Sequence, residues 1–87
     1  MAPNAPGAVV RRMFALLHEG GVGGAQRRPD RLAVASYVTW RRIGSTDDLS
    51  EADIRAIVAA LEYWRLAGQI EYRCRRIAES MHKEMNA

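Results

Sequence analysis

Hydrophobic positions recur along most of this chain at the spacing of a helix face. Val9, Val10, Met13, Phe14, Leu16 and Leu17 fall on one broad side when wound at 3.6 residues per turn, with Arg11, Arg12 and Glu19 outside it. The spacing predicts a helix from about Gly7 to Glu19. "GGVGG", residues 20–24, closes it, because glycine tolerates the left-handed conformation of a helix C-terminus and four glycines in five residues leave a flexible loop. A second stripe, Leu32, Ala33, Ser36, Tyr37, Trp40 and Ile43, predicts a helix capped by Asp30 and running to Gly44. Val34, Val38 and Thr39 weaken the helical propensity there, so a strand is the second choice.

The third helix has the clearest start. Ser50 followed three residues later by Asp53 reads as a capping box, and Glu51 and Asp53 suit the positive end of a helix dipole. Ile54, Ile57, Val58, Leu61 and Trp64 then supply a core face, predicting a helix over about Glu51 to Ala67. Beyond Gly68 two periods fit the same residues. Ile70, Tyr72 and Cys74 alternate with Glu71, Arg73 and Arg75 as in a half-buried strand, while Leu66, Ile70, Cys74, Ile77, Met81 and Met85 are spaced as in an amphipathic helix. Gly68 marks a helix stop, which favours a short strand over about 69–75 and a helix over 76–85. Residues 1–6, "MAPNAP", have two prolines and no periodicity, the character of a flexible tail before a single domain over 7–87.

The stretch "ALEYWRLAGQIEYR", with Ala60, Leu61, Trp64, Gly68 and Ile70 at its key positions, resembles the end of the recognition helix and first wing strand of winged helix-turn-helix domains. "DLSEADIRAIV" is similar to that family's helix start, with Ile54 and Val58 inward. The close likeness covers about residues 49–73. It implies a mainly α fold: a small winged-helix-like domain of three core helices, a short strand or degenerate wing, and a C-terminal helix. An all-α bundle of three or four helices is the alternative. Three features depart from the family pattern. No turn signal for a second wing strand follows Arg76, the linker between the second and third helices is long, and Asp47, Asp48, Glu51 and Asp53 crowd the end that would approach DNA phosphates.

Composition narrows the classes further. The single cysteine, Cys74, excludes an internal disulfide and a cysteine-based zinc cluster, and fits a reducing, cytoplasmic setting. No apolar run approaches membrane-spanning length, and Arg11 and Arg12 break the only stretch with the outward form of a signal sequence. His18, His82 and Cys74 share no ligand spacing, "GGVGG" lacks the Gly-Lys-Ser/Thr of a phosphate loop, and no catalytic constellation is present. The expectation is a non-enzymatic protein without metal or cofactor. Trp40 and Trp64 read as core or interface anchors.

Net charge is +3, and every basic residue but Lys83 is arginine. Arginine forks bind phosphate and stack on bases, although a GC-rich coding sequence supplies the same bias. On the winged-helix resemblance, Arg41, Arg42, Arg73, Arg75 and Arg76 are the candidate phosphate contacts on double-stranded DNA, and Arg55 the candidate for a base edge. Arg27, Arg28 and Arg31 extend the stripe. Two functions follow. One is a DNA-binding transcriptional or mobile-element regulator, dimeric through its first and last helices. The other is a protein-interaction module, an adaptor or phage-type inhibitor, built on the same scaffold. Carboxylates projecting from the DNA-facing surface favour the second; carboxylates that only cap and pair with arginines favour the first.

Overall fold

A computed structural model of the chain describes residues 6–85, with side chains described as far as His82. The expected tail over 1–6 lies outside these residues except for Pro6. Among the described residues there are four α-helices, α1 (Gly7–Glu19), α2 (Arg28–Thr39), α3 (Glu51–Leu66) and α4 (Ile70–Met85), and no strand. Short 3-10 turns precede α2 at Ala25–Arg27 and α3 at Thr46–Asp48. The mainly α reading therefore holds, in its four-helix form.

The helices pair alternately: α1 packs chiefly on α3 and α2 chiefly on α4, with α3 also touching α2 and α4. The apolar stripe of α1 enters the core through Val10, Met13, Leu16 and Leu17. That of α3 enters through Ile54, Ile57, Leu61 and Trp64. Fully burying side chains such as Leu16, Ile54 and Leu61 stabilises the fold by roughly 1.5–3 kcal/mol each. Two ion pairs brace the first pairing from outside, Arg12 Nε to Glu62 at 2.8 Å and Arg65 Nε to Glu19 at 3.0 Å.

The expected strand over 69–75 is a helix. Cys74, Ile77 and Ala78 are buried and Ile70 and Met81 partly so, which is the helical one of the two periods. The glycine signal was correct but closed one helix only to open another. At the end of α3 the Gly68 N–H donates to the Arg65 carbonyl at 3.0 Å and the Gln69 N–H to the Trp64 carbonyl at 2.8 Å, with Gly68 at φ +72°. This is the Schellman arrangement, in which a left-handed residue satisfies the last carbonyls and turns the chain. The end of α1 repeats it: Gly21 at φ +83° donates to His18, and Val22 donates to Leu17 at 3.0 Å, both side chains of that last pair being buried.

The second helix also differs from expectation. It begins at Arg28, with Pro29 in its first turn, and Asp30 sits inside that turn rather than at its cap. There Asp30 meets His82 of α4 at 2.7 Å, joining the start of α2 to the far end of α4. Arg31 holds the glycine-rich loop by donating to the carbonyls of Gly23 (3.2 Å) and Gly24 (2.6 Å). The helix ends at Thr39, five residues short of Gly44. Ile43 still reaches the core because the chain folds back, its N–H donating to buried Ser36 Oγ at 2.9 Å.

The apolar stripes of α1 and α4 were expected to form a dimer interface. Val9, Phe14, Ile70 and Met81 are partly buried against the chain's own core; the Met85 side chain lies outside the described residues.

Candidate interaction surface

The capping box at α3 is formed as expected. Asp53 N–H donates to Ser50 Oγ at 3.1 Å, and Ser50 N–H donates to Asp53 Oδ2 at 2.8 Å. Asp53 has a further partner in the Arg41 guanidinium, which grips its carboxylate with both terminal nitrogens. Those hydrogen bonds hold the Asp53 carboxyl well below the usual carboxylate range, with Ser50 lowering it further against the opposing effect of burial. The same contact raises the Arg41 guanidinium. Glu51 accepts from Arg55 Nε at 2.9 Å, one turn along. Two carboxylates at this helix start are thus capping or paired, and two of the candidate DNA contacts, Arg41 and Arg55, are their partners.

The remaining candidates are dispersed. On a strand Arg73 and Arg75 would share a face; on α4, at 100° per residue, they point roughly 160° apart. Arg73 bonds Gln69 at 3.3 Å, Arg76 lies 4.0 Å from Glu79, and Arg75 lines a different groove with Glu71, Glu79 and His82. Arg42 belongs to the loop after α2. Among the described residues Arg42, Arg73 and Arg75 have no carboxylate within ion-pairing distance. Of the loop arginines, Arg27 meets Asp30 at 3.4 Å and Arg28 donates to the Gly44 carbonyl at 3.4 Å.

The outward face of α3, which the winged-helix resemblance assigns to base reading, is exposed at Ala52, Arg55, Ala56, Ala59, Tyr63 and Leu66. Base edges are read by forked donors and acceptors in the major groove. This face offers one guanidinium, already paired, and otherwise alanine methyls, a phenol and a leucine that is 84% exposed.

Sequence reasoning expected Trp40 to be an anchor, and its place is unusual. It is 93% exposed, and it occupies the left-handed C-terminal position of α2 at φ 60°, ψ 29°. Among the described residues the other two in the left-handed region are glycines, Gly21 and Gly68. A bulky L-residue in that conformation brings its Cβ against the following carbonyl and costs about 1–2 kcal/mol. Trp40 stands at the lip of an apolar groove lined by Tyr37, Val38, Ala60, Trp64 and Met81. Trp64, the groove's floor, is buried in the core, whereas Tyr37 is half exposed. The signal missed in the sequence was "TWRR": counting Trp40 into the α2 stripe required a helix that the chain ends one residue earlier.

Cys74 is fully buried, and burial pushes its thiol up to about 11. Among the described residues no group of His, Cys, Asp and Glu is placed to hold a metal ion, and no helix is long and apolar enough to cross a membrane. Compared with protein-family models, curated proteins and solved structures, the chain finds no match in any of the three.

Proposed function

We propose that this chain is a protein-interaction module that docks a partner through the aromatic groove between α2, α3 and α4. One observation carries the reading: Trp40 is almost wholly exposed while held in a backbone conformation that disfavours it. Strained residues persist where the surrounding structure over-determines them, and they cluster at functional positions. Tryptophan is also the residue most enriched where truncation costs an interface most. Tyr37 beside it and Trp64 beneath supply the kind of aromatic surface that a partner side chain desolvates.

The winged-helix DNA regulator is the second reading, and the absence of an ion-pair partner for Arg42, Arg73 and Arg75 among the described residues, with the net charge of +3, favours it. The capping and pairing of Asp53 and Glu51 favour it as well, since neither carboxylate is left to repel phosphate; against it stand the engagement of Arg41 and Arg55 in those same pairs and the donor-poor face of α3. Two experiments separate the readings. The first is quantitative capture from the source cells with wild-type and Trp40→Ala baits; a partner retained by the first and lost with the second is expected. The second is titration with labelled duplex DNA at several salt concentrations. DNA binding that weakens by about 0.9 log unit per log unit of salt for each phosphate contact, and that survives Trp40→Ala, would reverse the conclusion.

A further inference from the structure

On the other side of Ser36 and Met81 from the aromatic groove lies a separate cavity of about 460 Å³. It is closed by the start of α2, the loop carrying Arg42 to Gly44, and the end of α4. Its walls are Pro29, Leu32, Ala33, Ile43 and Met81, its basic lining residues are Arg28, Arg42 and His82, and among the described residues no carboxylate lines it. Asp30, the nearest acidic residue of α2, is engaged by His82 and Arg27. Arg28 has a long contact to the Gly44 carbonyl and lies near enough to the Asp47 carboxylate to lower its pKa, whereas the Arg42 side chain has no hydrogen-bond partner among the described residues.

An apolar body and a rim of two guanidiniums match one ligand chemistry. The volume lies within the range of small-molecule pockets, about 300–1,000 Å³. Apolar walls reward a hydrocarbon or aryl group by its buried area, and an arginine fork is built for a carboxylate or similar planar anion. A peptide binding by strand addition would need a sheet edge, and the walls here are helices and a short loop. We propose that this cavity binds a small free apolar anion, a carboxylate on an aliphatic or aromatic body, with the body between Leu32, Ile43 and Met81 and the charge toward Arg28 and Arg42. The site does not depend on the aromatic groove, so Trp40→Ala leaves it intact.

The test is a titration of the protein with octanoate, 1-octanol and octylammonium, followed by the methyl resonances of Leu32, Ile43 and Met81. Octanoate is expected to saturate with shifts at these three methyl groups and to bind at least about fivefold more tightly than the other two, the scale of a partly screened charge-assisted contact. Arg42→Glu should abolish that preference and Arg42→Lys should keep most of it, with circular dichroism confirming that both variants are folded. Equal affinity for the three probes, absence of saturation, or shifts elsewhere would overturn the proposal. An acetylated Glu-Leu-Glu amide that binds more tightly than octanoate would overturn it too, and would assign the cavity to a protein partner.

Discussion

Replacing Trp40 by glycine should make this protein more stable. Three contributions set the magnitude. Relief of the left-handed backbone gains about 1–2 kcal/mol. The extra freedom of glycine in the unfolded chain takes back roughly 0.5–1 kcal/mol. Trp40 is 93% exposed, so a side chain of up to roughly 250 Å² loses less than about 20 Å² of contact, near 0.4 kcal/mol at 25 cal/mol per Å². The balance at the middle of these ranges is a gain of about 0.3 kcal/mol. Alanine at the same position loses the contact and keeps the strain, so Trp40→Ala should be slightly less stable than wild type. The gap between the two variants, about 0.7 kcal/mol, isolates the backbone contribution and corresponds to roughly 3–6 °C in Tm for a domain of this size. Urea unfolding and thermal melts of the three proteins measure it. If Trp40→Gly is no more stable than Trp40→Ala, the strain argument fails, and with it the reason for regarding this position as held against its own preference.

Other perturbations test other parts of the structure. A Cβ on Gly23 would meet the Cα and N of His18 at 2.5 and 2.8 Å; backbone cannot yield as a flexible side chain does, so Gly23→Ala should cost about 1–3 kcal/mol in urea unfolding, and a loss under about 0.5 kcal/mol would contradict the packing. Cys74 should resist iodoacetamide at about pH 8 in the folded protein and react fully in denaturant. Because its folded pKa is raised to about 11, the stability it contributes is complete below the ordinary thiol range and is lost as pH rises through that range toward about 11. Cys74→Ala should flatten that alkaline decline; an unchanged profile would place its cause elsewhere. Asp53 has the opposite sign: its folded pKa is depressed, so its contribution is present above the ordinary carboxylate range and lost as pH falls below it. Asp53→Ala should cost about 1 kcal/mol through the lost cap, whereas Asp53→Asn should keep more of the capping and flatten the acid limb. Equal acid limbs in wild type and Asp53→Asn would count against the pairing.

What could be read in the sequence was local. The α3 start was legible because Ser50 and Asp53 satisfy each other within four residues, and α1 was legible because its stripe and its glycines agree. Beyond Gly68 the local signals conflicted. What decides for helix is the partner: Cys74, Ile77 and Ala78 are buried together only on a helical face, and α2 lies against that face. Strand alternation would have brought Arg73 and Arg75 together, and the helix sends them apart, so the arginine cluster was an effect of reading the wrong period. The grip of Arg41 on Asp53 spans 12 positions, and no spacing rule reaches that far. Trp40 was misplaced by one assumption, that α2 continued to Gly44; its exposure follows from the helix ending at Thr39.

The alternate pairing of the helices bears on how the protein comes off the ribosome. Because α1 rests on α3 and α2 on α4, no two consecutive helices of the first half form a finished pair. Synthesis at about 5–20 residues per second leaves α2 waiting several seconds for α4. During that interval the nascent chain presents two amphipathic helices with uncovered apolar sides. A fragment ending at Gly68 would hold that state permanently, so premature termination or proteolysis in the α3–α4 turn should yield a species that aggregates or is captured by chaperones.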